Sequence, residues 1–596
     1  MSTFATFTTV RLGIYSAQKG LDIAGNNIAN INTPGYTRQR LDQVSLVANA
    51  GADRTASKYN SDAGQGVLIT GISQLRDPSL DISYRNSVSD VSSAQSKLEG
   101  LDRLASILDE VGKGDGEQDD GVILNQMNDL RDLISQAITN GIDDYDSLIR
   151  TSADALCSLF NTSAKALENL KSEYETKFND QVKEVNDILD SIKEMNLQIR
   201  NSDIRGDPAL ELRDERNKLI DELSQYMKID VTYDMEDVGA GLEVERLTIK
   251  LATGDKNTLV DGTYATELVG GTEEDGYSVS LNPLTDSKGR YLDPNANANT
   301  PPTLLGDNDL YGSLQSVREM LTESGEYSTL GDMDNDPQAN IKRGIPYYQQ
   351  ALDHLAFEFA EQMNALNQIQ YKTDANDNPI RDADGNFVLE EGSGPLFSMG
   401  SNTDNTETYT KVPNSNPEEW VVTGHITAAN ISVSKSWKDG SVSMVAQETP
   451  DSPSGDTGNL VKFLDVFNKE HTFTYQDMVL KPIYQDQNGD YVDLDGNPVD
   501  PNEFTISGDT KPFEGSFEDM LFHIQATLGE DQLSTGIVHN NYTITNNELY
   551  VSRDGVTGVD LNDEATSLMV YQKAYSSACR LMTVINETLD SLINMG

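Results

Sequence analysis

The sequence predicts a multidomain α+β protein, and three patterns carry that prediction. Apolar residues recur at heptad spacing at both ends of the 596-residue chain. Residues 146–200 continue such a pattern far beyond the length of an ordinary helix, which indicates a bundle. Short alternating stretches bounded by Gly, Asp and Asn indicate β structure. We therefore expect N- and C-terminal helices paired as an α-helical coiled coil, a long-helix bundle, and β-rich inserted outer domains.

These patterns also predict domains that the chain leaves and re-enters. The expected domains are a terminal helical coiled-coil domain (1–60 with 555–596), a helix-bundle domain (61–228 with 305–372 and 536–554), a β-rich insertion (229–304) and a β-rich variable outer insertion (373–535). Within them, the expected helices are 88–110, 123–138, 146–200, 209–227 and 346–370.

Each end of the chain carries a stripe of apolar or small residues whose steps alternate between three and four, as in a helix that packs along one side. The N-terminal stripe is Phe7, Val10, Ile14, Ala17, Leu21, Ala24, Ile28 and Ile31. The C-terminal stripe is Leu568, Tyr571, Tyr575, Ala578, Met582, Ile585, Leu589 and Leu592. Each would span about 37 Å. Their matched length predicts an antiparallel pair that forms an assembly interface.

The N-terminal helix is weak by itself, because Gly13, Gly20 and Gly25 each cost about 1 kcal/mol relative to alanine. A lone two-helix pair would also leave most of its remaining apolar surface in water. We therefore expect both ends to be poorly ordered in the free subunit and to fold against neighbouring copies. Ordinary core packing within one chain is the alternative explanation of both stripes.

A compact motif follows the N-terminal stripe. Asparagine suits a helix interior poorly because its amide competes for backbone hydrogen bonds, and Pro34-Gly35 fits the centre of a type II turn. Beyond the turn, Arg38 and Arg40 would share one face of an extended segment. They are candidates for pairing with acidic groups of a neighbouring copy, and an ordinary solvated face is the alternative. The motif consists of Asn26, Asn27, Asn30, Asn32, Thr33, Pro34, Gly35, Tyr36 and Arg38.

Charge limits the possible partners. The chain has 97 acidic and 44 basic residues, and its formal net charge is −53. A field of this sign repels phosphate, which argues against nucleic acid and anionic membranes as partners. No stretch approaches the roughly 20 apolar residues of a membrane helix, so no membrane insertion is expected. No cleavable signal peptide is visible, so export would use a route that does not need one.

The residues also indicate no catalytic or cofactor site. None of the five histidines lies in an H-E-x-x-H pair, and no G-x-S-x-G or G-x-x-x-x-G-K-[ST] motif occurs. Acidic turns in RDADGNF, YQDQNGDY and DLDGNPV suggest calcium, but an EF-hand loop from Asp374 would have Pro379 where glycine is needed. We expect hairpin turns there, no cofactor, no metal and no enzymatic activity. A secreted enzyme carried by the acidic β-rich insertion is the alternative from a different class.

Two segments resemble a known family. GLDIAGNNIANINTPGYTRQ resembles the N-terminal motif of the flagellar axial family of rod, hook and hook-associated proteins. The GYTRQ ending is closest to the hook-associated members. GVDLNDEATSLMVYQKAYSSACRLMTVINETLDSLINMG is similar to the C-terminal segment of the same family. Weaker similarities lie between the two, for example in ELRDERNKLIDELSQYMKIDV.

The resemblance implies a structural subunit of the junction ring between hook and filament of the bacterial flagellum. It implies secretion by the flagellar type III apparatus and assembly through the terminal helices. The partners it implies are further copies in the ring, the hook protein, the second hook–filament junction protein and a cytoplasmic export chaperone on the C-terminal helix. A hook or rod protein is the alternative, because it shares the opening motif.

Overall fold

The structure of the chain is a computed structural model. It describes residues 3–46, 66–108, 121–239, 241–306, 308–328, 336, 338–367, 394–411, 420–447, 453, 455–473, 484–485, 491–492 and 513–594.

Helices form most of the described chain. In chain order they are α1 (Thr3–Ala29), α2 (Pro78–Leu108), α3 (Val122–Asn140), α4 (Ile142–Ile204), α5 (Leu210–Tyr226), α6 (Gly312–Thr322), α7 (Ile345–Leu366), α8 (Lys435–Asp439), α9 (Gly458–Asn468), α10 (Phe517–Thr557) and α11 (Leu561–Asn594). Single 3-10 turns occur at Glu273–Asp275, Gly325–Tyr327 and Ala339–Ile341.

The strands are short and form small antiparallel sheets. They are β1 (Gln39–Ser45), β2 (Val67–Gln74), β3 (Ile229–Asp237), β4 (Glu243–Leu251), β5 (Thr258–Asp261), β6 (Tyr264–Ala265), β7 (Leu268–Gly270), β8 (Val279–Leu281), β9 (Thr303–Leu304), β10 (Phe397–Met399), β11 (Glu407–Lys411), β12 (Trp420–His425), β13 (Ile431–Val433), β14 (His471–Phe473), β15 (Tyr484–Gln485), β16 (Tyr491–Val492) and β17 (Phe513–Gly515). The sheets are β3-β4-β5-β6, β7-β8-β9, β1-β2, β10-β13, β11-β12, β14-β17 and β15-β16. The mixture is helix-rich α+β.

Helix α4 is the spine of the molecule, because it contacts α3, α5, α6, α7 and strands of the first insertion. It is 63 residues long. Phe160, Leu167, Phe178, Val185 and Ile192 are fully buried along one side of it. Their near-heptad spacing explains the length of the helix, since a continuous apolar stripe needs a continuous core. The long helix predicted from the sequence is confirmed.

Other predicted helices are also present, and α2 differs most from its prediction. It begins at Pro78, ten residues before the expected start. Before Val88, the first turns bury Asp81, Arg85 and Ser87 instead of apolar side chains. Ion pairs and hydrogen bonds hold this end of the helix in place, and a search for apolar periodicity does not detect them. Residues 112–121, between the predicted helices 88–110 and 123–138, lie almost entirely outside the described residues.

One described part of the second predicted insertion, 517–535, is helical. Residues from Phe517 onward belong to α10, which begins with a capping box between Ser516 and Asp519. The first turns of α10 bury Phe517, Leu521 and Leu528 in the main core. The assignment of 517–535 to β structure was therefore wrong, although the capping signal and the helical spacing are visible in the sequence.

The hairpin predicted around YQDQNGDY is confirmed, because β15 pairs antiparallel with β16 in the register Tyr484 to Val492. The Asp374 loop, RDADGNF and DLDGNPV all lie outside the described residues. In the parts of the chain that the structure describes, no group of three or more His, Cys, Asp or Glu side chains could hold a metal ion.

We expect Phe359→Ala to destabilise the core strongly. The Phe359 ring packs edge-on against Phe397, Phe467 and Phe517, and thereby joins α7 to the second insertion and to α10. Its loss should lower the free energy of unfolding by about 3–5 kcal/mol, measured by chemical denaturation. The control is Phe522→Ala, because Phe522 lies on α10 near Phe517 but its side chain is 40% exposed. Equal losses in the two variants would contradict this account of the core.

Candidate assembly interface

The two terminal stripes meet in an antiparallel helix pair, α1 with α11. The direction follows from two contacts, because Gly20 lies against Tyr571 whereas Arg38 lies against Glu564. On α1, the structure buries Val10, Ala17 and Ala24, half-buries Phe7, Ile14, Leu21 and Ile28, and exposes Ile31. On α11, it buries Ile585, half-buries Leu568, Tyr571, Ala578, Met582 and Leu589, and exposes Tyr575. Nothing is described for the side chain of Leu592.

Helix α1 has a second neighbour that the sequence did not predict. The β1-β2 hairpin packs on α1, where the Ser16 hydroxyl donates to Gln43 Oε1 at 2.7 Å and Gly66 approaches Thr9. Ile23, which lies outside the predicted stripe, is buried. Adjacent positions 23 and 24 are both buried because α1 lies between two partners. A heptad pattern marks only one side of a helix, so it does not indicate the second partner, the β1-β2 hairpin.

Gly20 allows α1 and α11 to approach closely. A Cβ atom at this position would lie 2.5 Å from Cδ1 and Cε1 of Tyr571. A Cβ at Gly13 or Gly25 would meet nothing within 4 Å. The three glycines that weaken α1 are therefore not equivalent, and only Gly20 accommodates the aromatic ring of the partner helix.

The asparagine motif ends α1 and holds the following strand. Asn27 Nδ2 donates to the Gln39 carbonyl and Asn27 Oδ1 accepts from the Gln39 N–H, both at 3.0 Å. The Tyr36 hydroxyl donates to the same Oδ1 at 2.8 Å. Asn30 Nδ2 donates back to the Asn26 carbonyl at 3.0 Å. Buried Asn27 thus acts like a paired strand residue and fixes the direction in which β1 leaves the helix.

The predicted turn is present between Thr33 and Tyr36. The Tyr36 N–H donates to the Thr33 carbonyl at 3.2 Å, and Gly35 has φ +81°, the value that a type II turn requires at this position. Asn32, Thr33 and Pro34 are exposed. This short turn brings Tyr36 back onto α1.

Tyr36 and Thr37 connect the motif to helix α5. The buried Thr37 N–H donates to Asp214 Oδ2 at 3.1 Å. Burial raises the pKa of the Asp214 carboxyl, while hydrogen bonds from Thr37 act in the opposite direction. The pKa of Tyr36 is also raised, first by burial and then by the nearby carboxylates of Asp214 and Glu211. Tyr36 therefore stays protonated and keeps its hydrogen bond to Asn27.

Arg38 pairs within its own chain, and the expected pairing with a neighbouring copy stays a prediction. Its Nε atom lies 2.7 Å from Glu564 Oε1, and its Nη1 atom lies 3.6 Å from Asp563. The Glu564 side chain is only 4% exposed. Antiparallel closure brings the acidic start of α11 beside the motif, so the partner is already present. Arg40 is exposed and pairs with Asp42 two residues further on.

A second arginine joins the end of α10 to the bundle. Arg553 contacts Asp81 of α2 and Asp221 of α5, each at 2.7 Å, and its guanidinium lies 4.7 Å from the Tyr84 ring centroid. Arg85 reaches the other Asp221 oxygen at 2.7 Å. Sequence patterns do not predict this network, because the residues that form it are spread over three helices and follow no common spacing.

Helix α11 is packed on one side only. Among its described side chains, Glu564 and Ile585 alone are buried. Val570, Leu581 and Val584 are about half exposed or more. No helix among the described residues is long and apolar enough to cross a membrane. Apolar side chains therefore remain open to solvent along much of α11.

Comparison with known proteins agrees with this arrangement of elements. Residues 117–380 match the family described as flagellar hook-associated protein FlgK helical domain. Residues 15–37 match the flagella basal body rod protein family, and residues 556–595 match the C-terminal family of flagellar basal body rod FlgEFG proteins. The two shorter matches fall on the α1 motif and on α11.

Full-length relatives agree with these matches. Flagellar hook-associated protein 1 of Bacillus subtilis is 23% identical over 100% of this chain and 98% of its own length. The proteins of that name from Salmonella typhimurium and Escherichia coli are 24% and 22% identical, each with 98% of both chains covered. A solved structure of the flagellar hook junction protein FlgK from Burkholderia pseudomallei aligns at 13% identity with a TM-score of 0.39, covering 86% of this chain and 100% of that one.

The terminal helix pair, its motif and the sequence matches define an axial protein of the bacterial flagellum. Within that class, the chain is similar over its whole length to flagellar hook-associated protein 1, and residues 117–380 match the FlgK helical domain. The family resemblance stated from the sequence is confirmed.

We expect Gly20→Ala and Gly13→Ala to have opposite effects. Alanine at position 13 should stabilise α1 by about 1 kcal/mol, because it meets no neighbour. Alanine at position 20 must displace Tyr571, and such overpacking costs about 1–3 kcal/mol. Hydrogen exchange of residues 7–31 measures both effects. Faster exchange in Gly13→Ala, or slower exchange in Gly20→Ala, would contradict the close approach.

We expect Glu564→Gln to loosen α11. The change keeps the shape of the side chain but removes the charge that Arg38 contacts, at an expected cost of about 1–2 kcal/mol. Amides of residues 561–594 should then exchange about 5- to 30-fold faster. Asp563→Asn is the matched control, because Asp563 is 67% exposed and contacts Arg38 at 3.6 Å, so a cost below about 0.5 kcal/mol is expected. Similar effects of the two changes would argue against the buried pair.

Proposed function

We propose that this chain is the structural subunit that forms the ring between the hook and the filament of the bacterial flagellum. The observation that carries the proposal is the one-sided packing of α11, found in a chain related over its whole length to flagellar hook-associated protein 1. A monomeric protein gains nothing from open apolar positions on a terminal helix, whereas an assembly subunit needs them.

Assembly through the terminal helices completes their packing in this proposal. The pair α1–α11 winds as a coiled coil, and neighbouring copies cover the sides of α11 that one chain leaves exposed. The sixteen stripe residues, from Phe7 to Ile31 and from Leu568 to Leu592, then contribute packing within and between subunits. Free in solution, both ends are only marginally ordered, because little of α11 is buried there.

The domains form radial layers in this proposal. Residues 1–60 with 555–596 form the inner layer, and 61–228 with 305–372 and 536–554 form the bundle around it. The insertions 229–304 and 373–535 lie outside the bundle. The motif from Asn26 to Arg38 sets the angle at which the chain passes from the inner layer to the bundle, since Thr37 contacts Asp214 of α5.

The partners follow from the family. We propose that the ring contacts the hook protein below it and a second junction protein above it. The chain reaches this position through the flagellar type III apparatus, and a cytoplasmic export chaperone covers α11 beforehand. Cys157 and Cys579 are free thiols in the folded chain, and the lack of a disulfide between them suits transit as an unfolded chain. The role is structural and involves no cofactor.

Loss of this chain should leave completed hooks while flagellin escapes into the medium. Loss of a hook protein would instead remove the hook, so this phenotype separates the proposal from its nearest alternative. Electron microscopy and immunoblotting of the medium measure the two outcomes, and antibody labelling of intact flagella should mark the junction. Absence of hooks in the deletion strain would overturn the proposal.

A variant that lacks residues 1–31 and 561–596 should be unable to restore filament attachment. The described core around α4 is independent of both segments, so the truncated chain should keep its helical circular dichroism per residue. In the full-length free subunit, amides of residues 7–31 should exchange rapidly and become protected in purified flagella. Strong protection already in the free subunit would contradict assembly-coupled ordering.

A further inference from the structure

The second half of α10 packs with its polar side inward. After Leu528 the helix leaves the main core and runs antiparallel to α2. Gln532 Nε2 donates to Asp102 Oδ1 at 2.8 Å, and the Tyr550 and Tyr84 rings are 6.2 Å apart. Thr543 and Asn546 have buried side-chain oxygens on this side. An amphipathic helix normally turns such residues to water.

The opposite side of the same helix exposes apolar residues. Leu533, Ile537, Ile544 and Val551 are 67%, 55%, 52% and 68% exposed. At 100° per residue these four positions fall within about 40° of one another, so they form one strip. We call these four residues the outer strip. Scattered exposed apolar residues are ordinary, but an aligned row opposite a polar seam indicates a covered surface.

Charge identifies what covers the outer strip. Between Gln532 and Ser552 the only charged side chain is Glu548, although 24% of the whole chain is charged. Two copies that each carry a net charge of −53 repel one another over most of their surfaces. They can approach closely only where carboxylates are scarce, and this segment is such a place. A basic partner would instead favour a surface that is rich in acidic side chains, which the outer strip lacks.

The outer strip also leads into the terminal pair. Three residues after α10 ends, α11 begins, and its own open positions Val570, Leu581 and Val584 follow. Open apolar surface therefore occurs on two successive segments outside the main core, the second half of α10 and α11. A neighbour that covers α11 is suitably placed to cover α10.

We propose that the outer strip of α10 packs against a neighbouring copy of this chain, as a contact outside the terminal helix pair. The contact rests on the proposed ring for the presence of a neighbour. It adds a second attachment at the level of the bundle, where the interface stays apolar at its centre and nearly uncharged at its edges.

Site-specific photo-crosslinking in intact flagella tests the contact. The full-length chain carries a benzoylphenylalanine at Ile544, is expressed in place of the native chain, and is irradiated after flagella are purified. The expected product has twice the 65.4 kDa mass of the chain, and peptide mass spectrometry should find only peptides of this chain in it. The control places the same group at Met235, which is 63% exposed on β3. That variant should give no two-copy product.

Each result distinguishes the two proposals. If the chain is absent from purified flagella before irradiation, the proposed function fails and the contact fails with it. If the chain is present but Ile544 yields no product, a product within one chain, or a product with a different protein, only the contact is overturned. A two-copy product from both Ile544 and Met235 would also overturn it, because the contact would then lack specificity.

A double substitution supplies a functional measure. Ile537→Lys with Ile544→Lys places two charges in the contact while leaving the monomer intact, because both side chains are exposed. Burying unpaired charges is costly, so filament retention on cells should fall by about tenfold or more. Met235→Lys is the control and should retain filaments normally. Normal retention in the double variant, with circular dichroism unchanged, would overturn the contact.

Discussion

Antiparallel closure of α11 on α1 is the constraint on which the other contacts near the chain ends depend. Because the two helices run in opposite directions, the start of α11 lies beside the end of α1, and Glu564 reaches Arg38. The same closure brings the end of α10 to the motif, where the Arg38 N–H donates to the Thr557 carbonyl at 2.8 Å. Helix α10 must then run back along α2. One pairing therefore determines the course of about seventy residues at the end of the chain and fixes how they join the bundle.

Arginine side chains, although basic residues are scarce in this chain, form the ion pairs that connect these helices. In a chain with 97 carboxylates and 44 basic groups, an arginine placed between elements always has acidic partners nearby. Arg38, Arg85 and Arg553 each contact a carboxylate on a different helix. Buried pairs of this kind add little net stability compared with apolar packing, but removal of one partner is costly. Their contribution is therefore the choice of register between helices, which apolar stripes of equal spacing leave ambiguous.

Sequence patterns predicted the elements that bury one continuous apolar side, and they failed where burial is polar or two-sided. Helix α4 and the two terminal stripes follow heptad spacing, and the Pro34-Gly35 turn follows from backbone conformation, so they were found. The first turns of α2 were not predicted, because the side chains buried there, Asp81 and Arg85, are charged and form ion pairs. The β1–β2 pair that packs on α1 was not predicted, because its two strands are separated by positions 46 to 66 and no local periodicity indicates that they pair. Arg38 was a candidate because of its place in the motif, but its partner Glu564 lies 526 positions away, and no local pattern connects the two residues.

Stability is distributed unevenly over this fold, and that distribution connects folding with assembly. Around α4, side chains such as Phe160 and Phe178 are fully buried, and opening this region requires unfolding the core. On α11 the described side chains contribute two buried positions, so its local opening free energy is far below the global value. Any neighbour that covers the open side of α11 adds its apolar burial directly to that small quantity. In the proposed ring, ordering of the ends and binding of a neighbouring copy would draw on the same contacts, so the affinity between copies and the stability of the terminal pair could not be changed independently.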